Sequence, residues 1–131
     1  RKESMHSCQV MISTKADGKG NEIIREGEIE LFLRAANLVY CEENALVRLS
    51  IHDDMAEIVR EGDYTMELVL QSGKTTKGKI GINGNHGDVL TKTHSVEYKI
   101  TEDYVVAHLF YDLLIGTEKQ KMELRLLAKK G

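Results

Sequence analysis

Apolar and polar side chains alternate with a period of two through most of the chain. Cys8, Val10 and Ile12 alternate with Gln9, Met11 and Ser13, and Asp17-Gly18 then supplies a turn signal. Over residues 22–34, Ile29, Leu31 and Leu33 share one parity while Glu28, Glu30 and Phe32 take the other. Gly27 interrupts that run near its middle and predicts a bulge or bend that lets one strand serve two parts of a sheet. Residues 38–41 read as a short strand and Glu43-Asn44 as a tight connection. In residues 45–52, Ala45, Val47, Leu49 and Ile51 oppose Leu46, Arg48, Ser50 and His52. The second half repeats the pattern over 56–61, 64–71, 74–82, 88–100, 104–115 and 119–129. Its turn signals include Gly62-Asp63, Ser72-Gly73, Asn83-Gly84 and Gly116-Thr117. Met55, Ile58 and Val59 also fit a helical period over 54–61, but a strand continues the surrounding alternation.

Segments recurring roughly every 12 residues are the signature of an antiparallel barrel or sandwich. The connections are short, so neighbours in sequence become neighbours in space and the chain is a meander. Such a meander has two exposed edges unless it closes on itself. The expected fold is all-β, a single antiparallel meander closing into a barrel of roughly 8–10 strands. Residues 7–129 are expected to form that one domain, behind a disordered lead over residues 1–6.

Composition narrows the function. The 131 residues carry 18 basic and 21 acidic side chains, a net charge of −3, which excludes broad attraction for nucleic acid or an anionic membrane. Aromatics are 5% of the chain, too few to present a stacking platform for bases. No apolar run approaches the roughly 20 residues of a membrane span. Residues 1–6 lack the apolar stretch of a secretion signal, and a cytoplasmic protein is expected. Two cysteines, Cys8 and Cys41, make neither a disulfide framework nor a four-thiolate zinc site; both lie in apolar stretches and are expected to be reduced and packed.

Arg60-Glu61-Gly62, Met66, Leu70 and Gly73 are spaced as in the YwiB-like family of small bacterial proteins, which the chain resembles. Gly87, Thr93 and the Tyr111-Asp112-Leu113 segment extend the likeness downstream, and Asp17-Gly18 and Gly27 extend it upstream. It runs from about Val10 to Leu127 and is carried by turn and core residues. What the resemblance implies is a calycin-type barrel, similar in shape to lipocalins and fatty-acid-binding proteins. It implies no activity, since the family has none assigned. Leu70 and His86 stand where the family tends to have aromatics, so a pocket shaped by those positions differs here.

Chemistry-bearing residues are sparse. No cofactor motif is present, and neither His6 with Cys8 nor His52 with Asp53 and Asp54 matches a zinc ligand pattern, so no metal is expected. The glycines at 78, 81, 84 and 87 read as strand and hairpin glycines rather than a phosphate cradle. His94 and His108 lie on consecutive strands. One register sets them as diagonal neighbours on one face, in the lumen, and a register shifted by one sets them on opposite faces. Arg48 shares the polar parity of its strand and is expected in solvent; turned inward, it would grip an anion or a carboxylate such as Glu67.

The leading expectation is an interior that binds a small apolar or amphipathic molecule. Its candidate lining is Met66, Leu68, Leu70, His94, His108, Tyr111, Met122, Leu124 and Arg48. The alternative is a packed barrel acting as a homodimer or protein-interaction module, because residues 104–115 are apolar on both faces. A hydrolase or other acid/base enzyme using His94 and His108 comes third.

Overall fold

Alternation becomes strand throughout the computed structural model, which describes residues 5–131. The elements are β1 (His6–Ala16), β2 (Lys19–Leu31), β3 (Ala35–Glu42), β4 (Ala45–His52), β5 (Met55–Gly62), β6 (Tyr64–Gln71), β7 (Thr75–Ile82), β8 (Asn85–Ile100), β9 (Tyr104–Ile115) and β10 (Glu118–Lys130). They follow one another around a closed antiparallel barrel, so the all-β meander expected from the sequence is the fold. Closure comes from β1 against β10, in register from Cys8 opposite Lys130 to Ala16 opposite Met122, which pairs the two edges a meander would expose. No helix among the described residues is long and apolar enough to cross a membrane.

The segment with the competing helical period takes the strand, from Met55 onward, because the β-parity places Ala56, Ile58 and Arg60 inside. β1 opens at His6, and residues 1–4 of the expected lead lie outside the described residues. The turn signals act as the side chains dictate. Asp17-Gly18 and Asn83-Gly84 both have positive φ at both positions, the geometry of the two-residue hairpin that matches strand twist.

Gly27 marks a change of partner. The ladder between β1 and β2 runs unbroken through Cys8 opposite Gly27, so no bulge is present. β2 nevertheless serves two parts of the sheet, since only residues 27–31 of it pair with β3, while residues 19–26 pair with β1 alone. The one register shift recorded between β8 and β9 falls between Thr93 and Ser95, which makes His94 the extra residue of a bulge.

Inward side chains fill the two ends of the barrel differently. At the end carrying the β2–β3, β4–β5 and β8–β9 connections, Cys8, Ile29, Leu38, Ile51, Leu70 and Val105 are each 2% exposed or less and form a packed core. Burial there pushes the Cys8 thiol up to about 11, an inert state at neutral pH. Cys41 takes the outward parity of β3 and is exposed, which corrects the expectation that both thiols are packed. The other end, under the β1–β2, β3–β4, β5–β6, β7–β8 and β9–β10 hairpins, is not filled.

Candidate functional site

That unfilled end is an open cup of roughly 660 Å3. Its apolar wall includes Ile12, Val47, Ile58, Leu113 and Leu124, inward residues toward the cup end of their strands. Asn21, Ile23 and Arg25 enter from the part of β2 that β3 does not pair, and Glu42, Glu43 and Asn44 from the β3–β4 hairpin beside it.

Of the residues expected from sequence to line an interior site, Met66, Tyr111, Met122 and Leu124 line the cup. Leu68 and Leu70 point inward but are 2% and 0% exposed within the packed core, and are not part of the cup's lining. Arg48 lies on the outer wall, its side chain half exposed, with Nη1 2.5 Å from Glu61 Oε1 rather than near Glu67. Val47, Leu49 and Ile51 own the inward parity of β4, which leaves Arg48 to solvent.

The interior cation is Arg60. It is 8% exposed, sharing the inward parity of β5 with Ala56 and Ile58. Its Nε lies 3.3 Å from Glu42 Oε1, and its Nη1 donates to the Tyr64 carbonyl at 2.7 Å and reaches Asp63 Oδ1 at 2.8 Å. The guanidinium carbon sits 3.6 Å over the centre of the Tyr64 ring. A guanidinium removed from water needs such partners, and two carboxylates, a carbonyl and an aromatic face supply them. Tyr40 and Tyr111, both 4% exposed, add two phenols to the polar lining, which Thr14 and Gln120 also join. Neither hydroxyl has a hydrogen-bond partner among the described residues. Burial pushes the Tyr111 phenol up to about 12 and drives Tyr40 upward as well, so both stay protonated at neutral pH.

Both imidazoles lie outside the barrel, which corrects their expected place in the lumen. Val105, Ala107, Leu109 and Tyr111 occupy the inner parity of β9 and leave His108 to the outer face. Glu97 stands opposite His108 and Ser95 opposite Phe110 on one side of the bulge, whereas Thr93 stands opposite Tyr111 on the other. Neither uniform register holds along the whole hairpin, and the bulge brings His94 to the outer face too. There His94 Nε2 is 3.0 Å from Asp112 Oδ2, with Lys119 Nζ 3.7 Å away. His108 Nε2 is 2.7 Å from Glu123 Oε2 and its ring packs 4.3 Å from Phe110. An acid/base site inside the barrel therefore loses both of its expected groups.

The outer wall also carries an apolar strip. Met11 stands opposite Ile24 and Leu127, and Leu127 opposite Val106. Ile24, Met11 and Val106 are 54%, 36% and 42% exposed, against the usual expectation for outward positions on a barrel wall.

Two carboxylates make stability sensitive to acid. The Arg60 hydrogen bond holds the Asp63 carboxyl below the usual range, and the His108 hydrogen bond does the same for Glu123. A carboxyl whose folded pKa is depressed contributes stability above its unfolded value and loses it as pH falls through the folded one. The urea midpoint is expected to drop steadily between about pH 5 and about pH 3. Asp63→Asn should flatten that drop; an unchanged slope in the variant would contradict the assignment.

Comparison with known proteins agrees with the geometry. The crystal structure of ywiB protein from Bacillus subtilis superposes with a TM-score of 0.79, covering 98% of this chain and 92% of that one at 17% identity, a likeness of fold. Among curated proteins none matches the chain. Residues 34–126 match the family described as a domain of unknown function, DUF1934. That match spans most of the barrel, from β3 into β10, and the protein is a member of the DUF1934 family with a YwiB-like ten-stranded barrel.

Proposed function

We propose that the protein binds a small apolar or amphipathic molecule in the cup. The observation that carries this reading is the contrast between the two ends of one lumen: a close-packed core below, and roughly 660 Å3 of space above it. Protein interiors are normally filled to the density of organic crystals, so an unfilled half is a departure that needs a reason. The volume lies within the range of small-molecule sites, and an apolar wall with a few fixed polar groups is their usual make-up. The apolar part of a ligand would lie against Ile12, Ile58 and Leu124, with its polar part toward Tyr40, Tyr111 and Arg60.

Titration with N-phenyl-1-naphthylamine, an uncharged apolar fluorophore, tests the reading. Saturable one-to-one binding at micromolar concentration is expected. Met66→Trp, which places a bulky ring in the cup, should weaken it about tenfold, corresponding to roughly 1.4 kcal/mol. No saturable binding to the natural chain would overturn the proposal.

The strip of Ile24, Met11, Leu127 and Val106 supports a second reading, self-association through the outer wall. Sedimentation velocity distinguishes it: a monomer at every concentration removes this reading and leaves the first untouched.

A further inference from the structure

We infer that the cup selects an amphipathic ligand with an uncharged polar head, a hydroxyl or carbonyl, over one with a carboxylate. This rests on the ligand-binding reading above and adds the chemical class. A barrel with an arginine in its lumen invites the opposite choice, an anion paired with the guanidinium. Arg60 is already spoken for. Its Nε is held by Glu42, its Nη1 by Asp63 and the Tyr64 carbonyl, and one face of the guanidinium is covered by the Tyr64 ring. A ligand carboxylate approaching the remaining Nη2 would arrive beside Glu42 and Asp63, two carboxylates that already offset the guanidinium charge, so little attraction is left for a third.

The charges of the whole lining point the same way. Arg25 and Arg60 face Glu42, Glu43 and Asp63, so the carboxylates outnumber the cations three to two. Arg25 is the less committed cation, yet its Nη1 donates 3.0 Å to the Ile24 carbonyl at the unpaired edge of β2. The least exposed polar side chains without a partner in the cup are neutral. Tyr40 and Tyr111 are each 4% exposed, and their hydroxyls, which stay open to the cup, are hydrogen-bonded to no described residue. Each can donate to a hydroxyl or carbonyl oxygen, and each can accept from a hydroxyl. Two phenols held as neutral donors on a largely apolar wall favour a neutral partner of matching polarity.

The experiment is displacement of N-phenyl-1-naphthylamine from the full chain at about pH 8, where a carboxylic acid is ionised. Decanol and decanoate, equal in chain length, compete in parallel below their aggregation limits. Decanol is expected to displace the probe at a concentration at least tenfold lower. Glu42→Gln, which removes one of the two charges held by Arg60, should narrow that gap by improving decanoate. Tyr40→Phe with Tyr111→Phe should weaken decanol about tenfold while leaving the probe's affinity within a factor of two. Decanoate binding as well as decanol or better, or neither displacing a bound probe, would overturn the inference. Absence of probe binding at the outset would instead overturn the reading on which it rests.

Discussion

Gly27→Val is expected to lower the unfolding free energy by about 3 kcal/mol, the upper end of the cost of overpacking a filled site. A β-carbon at position 27 would lie 2.5 Å from the Val39 carbonyl oxygen, 3.1 Å from Tyr40 Cβ and 3.3 Å from Val10 Cγ2. The first of these neighbours is backbone of a paired strand and cannot swing away as a long side chain could. Gly27 is also where β3 joins β2, so a shift there disturbs the first rung of that ladder, Gly27 opposite Tyr40. Urea unfolding followed by circular dichroism measures the loss. Gly87→Ala is the control, because its added carbon meets nothing within 4 Å and its φ is not positive; it should change stability by less than about 0.5 kcal/mol. Equal effects at both positions would show that Gly27 is not constrained by close approach.

Arg60→Met is expected to cost about 2 kcal/mol, whereas Arg48→Met should cost about 0.5 kcal/mol or less. The two arginines are both ion-paired, and the difference is burial. Arg48 and Glu61 are 53% and 58% exposed, so water screens the pair and replaces it easily. Arg60 is buried, and its removal strips Glu42, itself 31% exposed, of its cation and leaves the Tyr64 carbonyl without its donor. Methionine recovers part of the packing, which keeps the figure below the several kcal/mol of a fully buried broken pair. The same variant should loosen the β5–β6 connection, since Arg60 ties Asp63 and Tyr64 to the strand that precedes them. Thermal or urea denaturation of the two variants side by side gives the comparison. A loss at Arg48 equal to that at Arg60 would contradict the burial argument.

The barrel was legible because period-two alternation persists through nearly every segment and the Asp-Gly and Asn-Gly turns demand the backbone they adopt. Closure followed from the cost of open edges. The cup was only half legible. Met66, Leu68 and Leu70 share one parity and one chemistry, yet only Met66 faces open space. Whether an inward residue meets a neighbour or a void depends on how far along the barrel it lies and what crosses from the opposite wall, which parity does not encode. Arg60 carries a signal in the sequence, since it stands at even spacing from Ala56 and Ile58, on the stripe that faces inward. Its partners came from another hairpin and from the turn after β5, so their convergence belongs to the closed barrel. The place of the histidines was not legible because residues 104–115 are apolar on both parities. Alternation therefore does not say that Val105, Ala107, Leu109 and Tyr111 take the inside and leave His108 outside. The bulge at His94, which nothing local in residues 93–95 marks, then sets His94 on the same outer face. Asp112 is the same lesson from the other strand, a buried carboxylate on the outer wall that is covered by His94 and Lys119.

Everything functional depends on one end of the barrel being hollow and reachable. Methyl-labelled NMR during titration with N-phenyl-1-naphthylamine tests this most directly, because the two ends carry different methyl groups. The largest shifts are expected at Ile12, Ile58, Leu113 and Leu124 around the cup, with Ile29, Leu38, Ile51 and Leu70 in the packed end nearly still. Shifts confined to Ile24, Val106 and Leu127 on the outer wall, or none at any of these methyls, would contradict the account.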